Sequence, residues 1–238
     1  MFSVASTITI ALGLLSVPSV AQQTAAAKCA PAGAVHGIFL RGESLADDGD
    51  PSPLNVLYQL SDDLYRRLPG STVLGLRYDF TNSNKLAAAH NGSAMLQQYV
   101  ADYAASCPDS KISLMGYSLG AVAVMDAICG TGQIGTIPIT AMDSKYNKNV
   151  AAIVAYGDET HAPNQPWNVG NCTNGVGYLP RFVNLGCAPF AKAMRSYCDY
   201  YDEQCCSYMP NNGNQGHHSY MTKYNGDVVN FIASKVGK

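Results

Sequence analysis

Residues 111–129, KISLMGYSLGAVAVMDAIC, constrain the fold more than any other stretch of this chain. Ile112, Leu114 and their neighbours form a short apolar run suited to a buried strand, and from Ala121 onward Ala, Val, Met and Ile recur at helical spacing. Between them stands Gly116-Tyr117-Ser118-Leu119-Gly120, a G-x-S-x-G pattern. At so sharp a strand-to-helix turn the serine backbone is strained, and the glycines two residues to either side let strand and helix approach closely. The Ser118 hydroxyl then stands clear at the sheet edge as a candidate nucleophile. Such a match also marks ordinary turns, so the strand-turn-helix setting carries the assignment.

The flanking chain alternates. Residues 34–40 read as a strand ending at Arg41-Gly42-Glu43-Ser44, followed by a polar loop to Pro53. Residues 54–68 space Leu54, Leu57, Leu60, Leu64 and Leu68 as an amphipathic helix, and residues 71–78 read as a second strand. Asn91 is placed to cap a helix running to about Ser106, and residues 150–156 form a fourth strand ending at Gly157-Asp158. Strands separated by helices predict the α/β class, a parallel sheet covered on both faces, with sites beyond the carboxyl ends of the strands. From Glu159 to Gly216 the pattern breaks into Gly, Asn and Pro with five of the eight cysteines, so loops stapled by disulfides are expected. A last short strand at 195–198 and a closing helix at 219–236 complete the reading, with no repeat or interdomain linker.

Residues 1–21 read as a secretory signal peptide: an apolar core from Ile8 to Val17, too short to span a bilayer, then Ser19-Val20-Ala21 as a small-x-small cleavage site. The remaining residues, 22–238, suit a single domain. A net charge of -2 with 13% charged residues gives no basic face for nucleic acid and no polybasic membrane tag. The expected product is a secreted, extracellular monomer. An even cysteine count in such a chain argues for disulfides rather than zinc, although eight cysteines allow 105 pairings. Asn91 and Asn171 open glycosylation sequons.

A serine hydroxyl needs a base to take its proton and a carboxylate to orient that base. His36 lies within the first strand, His90 at the expected helix start and His161 in a loop, where strand or surface roles suffice. His217 and His218 precede the last helix, the place an α/β hydrolase gives its base, and spacing does not choose between them. The upstream acids are Asp158, Asp199, Asp202 and Glu203; Asp158 follows a strand end and Asp202 lies inside the Cys-rich loop.

Taken together, Cys107-Pro108 before the serine strand, Ala127-Ile128-Cys129-Gly130 after the helix, Ser196-Tyr197-Cys198-Asp199, Asp202-x-x-Cys205-Cys206, and His217 with Tyr220 and Tyr224 behind it resemble the fungal cutinase and acetylxylan esterase family. These are small lidless alpha/beta hydrolases of carbohydrate esterase family five. The resemblance implies a compact three-layer α/β sandwich with a mainly parallel sheet of about five strands. It places the acid three residues before a cysteine and the histidine three before a tyrosine, which selects Asp202 and His217. It also implies the pairs Cys29 with Cys107, Cys129 with Cys187, Cys172 with Cys206 and Cys198 with Cys205. The implied chemistry is acyl transfer from Ser118 to water, with no metal or organic cofactor.

Two positions depart from the family. Leu119 replaces the usual Gln after the serine, leaving its backbone amide as an oxyanion donor. Glu43 stands where a Ser or Thr usually supplies the second donor. An ionised carboxylate only accepts hydrogen bonds, so either the Glu43 backbone amide serves or the loop presents Ser44. Residues 203–216, rich in Asn, Gln, Ser and Tyr, resemble the acetylxylan esterase branch, which implies a short acyl group on a polysaccharide. The alternatives are a cutinase acting on longer aliphatic polyesters, a catalytically weak wall-binding or host-interaction protein, and an interfacial lipase, which would need an exposed apolar patch.

Overall fold

The computed structural model describes residues 28–43, 52–133, 136–208 and 215–238. The leader reading, Ser44 and residues 209–214 of the polar loop lie outside these. Six strands form one fully parallel sheet: β1 Val35–Leu40, β2 Thr72–Gly75, β3 Lys111–Tyr117, β4 Val150–Tyr156, β5 Asn168–Val169 and β6 Met194–Tyr197, in the order β2-β1-β3-β4-β6-β5. The helices are α1 Tyr58–Arg67, α2 Lys85–Ser106, α3 Leu119–Cys129 and α4 Tyr220–Lys235.

Alternation along the central strands sorts side chains to two cores, because successive residues of a strand point to opposite faces. Ile38 and Leu40 of β1, Leu114 of β3 and Ile153 of β4 pack with Leu96 and Tyr99 of α2 and the buried α3. Phe39, Met115 and Val154, each one residue out of phase, pack with Leu60 and Leu64 of α1 and Val228 and Ile232 of α4. Every residue of α3 is buried, as expected where a helix crosses the centre of a sheet.

Four local expectations shift. The sheet has six strands rather than about five, the extra one being the two-residue β5, too short to show alternation. The second strand is confined to Thr72–Gly75, although the Leu76 amide still reaches the Phe39 carbonyl at 2.8 Å. Helix α2 is capped seven residues before Asn91, by Asn84, whose side chain accepts the Ala87 amide at 3.1 Å. Asn91 lies inside the helix, with His90 beside it, and accepts the Asp79 amide at 3.0 Å.

Disulfides join Cys29 to Cys107, Cys129 to Cys187, Cys172 to Cys206 and Cys198 to Cys205, the pairs implied by the resemblance. The last two lie together in a cluster of four buried cysteines, where covalent bonds stand in for a conventional core. Among the described residues, no helix is long and apolar enough to cross a membrane.

Candidate active site

Ser118 joins β3 to α3 with φ 54° and ψ −125°, a backbone conformation that L-residues seldom adopt outside functional turns. The turn is so tight that a Cβ on Gly120 would lie 2.1 Å from the Leu40 carbonyl oxygen, and one on Gly116 would lie 2.4 Å from the Gly120 carbonyl oxygen. Only glycine fits either place. The Ser118 amide donates to the Tyr156 carbonyl at 2.9 Å, pinning the turn to β4.

Leu119 opens α3, whose first amides have no acceptor within the helix and carry the positive end of its dipole. Its side chain belongs to the core, which accounts for an apolar residue at this position. The turn after β1 passes directly over the serine: a Cβ on Gly42 would come within 3.1 Å of the Ser118 Cβ. The buried Arg41 holds this turn through the Ser52 carbonyl at 2.7 Å, while the Tyr78 hydroxyl donates to the Arg41 carbonyl at 2.5 Å. The Glu43 carboxylate faces Lys85 Nζ at 2.6 Å, so the side chain is engaged away from any donor role.

His217 Nδ1 lies 3.0 Å from both Asp202 oxygens. The same carboxylate accepts the Tyr220 hydroxyl at 2.5 Å on Oδ2 and the Gln204 amide at 2.9 Å on Oδ1. Asp202 is fully buried and His217 nearly so. With Nδ1 turned to the acid, Nε2 is the imidazole nitrogen left for other chemistry. The Tyr117 hydroxyl donates to the His217 carbonyl at 3.2 Å, and its ring centroid lies 5.0 Å from the imidazole. Gly157, with φ 58°, closes β4 beneath the pair; a Cβ there would sit 2.7 Å from His217 Nδ1 and 2.8 Å from Asp202 Oδ2.

The other candidates are occupied elsewhere. Asp158 accepts both the amide and the hydroxyl of Thr160, at 2.9 and 2.8 Å, beside a buried Arg181–Asp126 ion pair. Burial raises its carboxyl above the ordinary range, opposed by Arg181. Asp199 holds Lys223 at 2.5 Å and the Tyr224 hydroxyl at 2.8 Å. His36 bonds to Thr72 and Tyr99, and His161 packs in a loop near Asn168; burial lowers each to a pKa of about 4. His218 turns toward the Tyr117 hydroxyl at 3.4 Å.

Ser118 and His217 line one cleft of about 240 Å³ with Gly42, Glu43, Asn55, Val56, Lys85, Tyr117, Glu159, Gln204 and His218. Lys85, Glu159 and Gln204 were not singled out from the sequence; they are far apart along the chain and no motif marks them. The sequence from residue 50 to 236 matches the family model described as Cutinase. This chain belongs to the cutinase family. It is 29% identical over 216 residues to acetylxylan esterase 2 of Talaromyces purpureogenus, covering 86% of this chain and 87% of that one. It is 33% identical over 152 residues to an acetylxylan esterase of Hypocrea jecorina, an alignment covering 61% of this chain and 48% of the relative, so about half of that longer protein is spanned. A solved acetyl xylan esterase superposes with a TM-score of 0.72 at 25% identity, covering 87% of this chain and all of that one. A cutinase-like protein from Cryptococcus, at 22% identity and a TM-score of 0.66, shares the fold.

Proposed function

We propose that this cutinase-family carboxylic ester hydrolase works through Ser118, His217 and Asp202, and that its preferred substrates are short acyl esters, above all acetyl esters, of a polar wall polysaccharide such as acetylated xylan. His217 Nε2 takes the proton as Ser118 Oγ attacks the ester carbonyl. Asp202 fixes the tautomer and stabilises the imidazolium. The oxyanion is received by the backbone amides of Leu119 and Glu43. Collapse releases the alcohol with the proton returned from His217, and water then repeats the sequence on the acyl-enzyme.

The observation that carries this reading is one cleft holding Ser118 and His217 while Nδ1 of the same imidazole is fixed by a buried carboxylate. The polysaccharide preference is supported by the residue types around the cleft, where among the described residues Val56 is the one aliphatic side chain beside acids, amides, imidazoles and a phenol. The two acetylxylan esterase relatives point the same way. Secretion, with residues 1–21 removed and 22–238 as one domain, is supported by four disulfides, which persist in oxidising compartments.

The test is hydrolysis of p-nitrophenyl acetate, butyrate and dodecanoate, with acetylated xylan alongside, by the native protein and Ser118→Ala. Expected is serine-dependent activity that falls steeply with chain length and releases acetate from xylan. Activity maintained on the dodecanoate would move the protein to the cutinase side, and unchanged hydrolysis by Ser118→Ala would overturn the mechanism.

A further inference from the structure

Glu159 lies two residues beyond Gly157 and lines the cleft beside Ser118, yet it is only 8% exposed. Among the described residues the other buried acids are each supplied with donors: Asp126 by Arg181 and Gln133, Asp158 by Thr160, Asp199 by Tyr224, Asp202 by Tyr220. Among the described residues none donates a hydrogen bond to the Glu159 carboxylate. Its nearest cationic neighbours in the cleft act only at a distance, since Lys85 is committed to Glu43 at 2.6 Å and His217 to Asp202. The backbone is nonetheless held firmly, the Glu159 carbonyl accepting the Leu179 amide at 2.8 Å. A buried carboxylate without donors is costly to maintain. Here it is fixed in place, aimed into the cleft that holds the nucleophile.

We infer that Glu159 receives the alcohol portion of the substrate, its carboxylate accepting hydrogen bonds from free hydroxyls neighbouring the acylated one on a neutral sugar. This rests on the proposed polysaccharide-ester reading and narrows it. Glu43, Lys85 and Glu159 together leave the cleft one negative charge in excess. An alcohol carrying its own carboxylate, such as a uronic acid, meets repulsion there, whereas a neutral polyol supplies the missing donors.

The test compares kcat/KM for three acetates: p-nitrophenyl acetate, methyl 2-O-acetyl-xyloside and its glucuronoside counterpart. The native protein, Glu159→Leu and Glu159→Gln are each assayed, with folding checked by thermal unfolding. The two sugar acetates form the same acyl-enzyme and both need the His217 proton for their leaving alcohol, so an effect of Glu159 acting through His217 cancels in the xyloside-to-glucuronoside ratio. The xyloside-to-aryl ratio is expected to fall about tenfold in Glu159→Leu, the scale of one lost hydrogen bond to a charged group. Glu159→Gln, which keeps one carbonyl acceptor, recovers part of it. Rejection of the glucuronoside relaxes in both variants. Should Glu159→Leu unfold, the near-isosteric Glu159→Gln still decides the point through the glucuronoside ratio. Ratios unchanged in serine-dependent variants overturn the inference while leaving the esterase reading intact. A native protein that hydrolyses the aryl ester but neither sugar acetate overturns both the inference and the polysaccharide preference.

Discussion

Ser118 and His217 line the same cleft from regions held by different physics. The serine stands on β3 and α3, where almost every side chain is buried apolar surface and the turn is fixed by glycines that admit no Cβ. Asp202 and His217 come from a segment of loops where two disulfides and a set of polar bonds replace the core: Tyr220 to Asp202, Tyr224 to Asp199, and the Gly216 amide to the Tyr201 carbonyl at 3.0 Å. The first region is stabilised by burial at roughly 25 cal/mol per Å². The second depends on restricting the unfolded chain and on directional bonds. Precision of a site therefore does not require that it be built on regular elements, provided something else removes the freedom of the loops.

The largest expected effect tests the loop side. Asp202→Asn keeps the shape but stabilises the wrong imidazole tautomer, and turnover is expected to drop about four orders of magnitude. Measured with p-nitrophenyl acetate, a loss below tenfold would show that another acid, Asp158 or Asp199, orients His217.

A second comparison separates stability from geometry. Chain-entropy estimates give about 4.5 kcal/mol for the Cys29–Cys107 closure and about 2.4 kcal/mol for Cys198–Cys205, whose sequence separations are 78 and 7. Replacing each pair by alanines should reverse that order in activity. The long closure lowers the unfolding midpoint most and leaves kcat nearly intact at low temperature; the short one, three residues from Asp202, costs less stability and more kcat. Equal kcat losses would mean that the acid loop holds its shape without its staple.

The smallest effect is pH-linked and has one representative in each region. His36 on β1 and His161 in the loops are both buried, with pKa values lowered to about 4 from an ordinary 6.5. Between those values the unfolded chain binds a proton that the folded state does not, so stability falls as pH drops through 6.5 toward 4. Each should remove roughly 2 kcal/mol between pH 7.5 and 5. Denaturant unfolding at both pH values should show that decrement shrinking in His36→Gln and, separately, in His161→Gln. Parallel decrements in native and variant proteins would contradict it.

What could be read from the sequence divides along the same line. The β3 turn and α3 combine a switch from strand to helix spacing with glycines at fixed offsets, and the structure places strand, turn and helix within that stretch. The Asn91-Gly92-Ser93 run looked like a helix start because its polar residues imitate a cap. Packing against α3, where the Ser93 hydroxyl reaches the Ala123 carbonyl at 2.9 Å, carries the helix through it. In the loop region periodicity had little to offer, and Asp202 and His217 were selected by motif spacing rather than by pattern. Lys85 and Glu159 were not legible at all. They line one cleft from distant parts of the chain, a relation that no local signal encodes.

The sheet's rims carry a consequence of their own. Its outer strands, β2 and β5, are four and two residues long, while the inner strands β1, β3 and β4 run to six or seven. Strand-to-strand aggregation needs an extended row of unpaired backbone donors and acceptors. A sheet that tapers this way offers little template for another chain, so copies of the molecule can crowd together without pairing strand to strand.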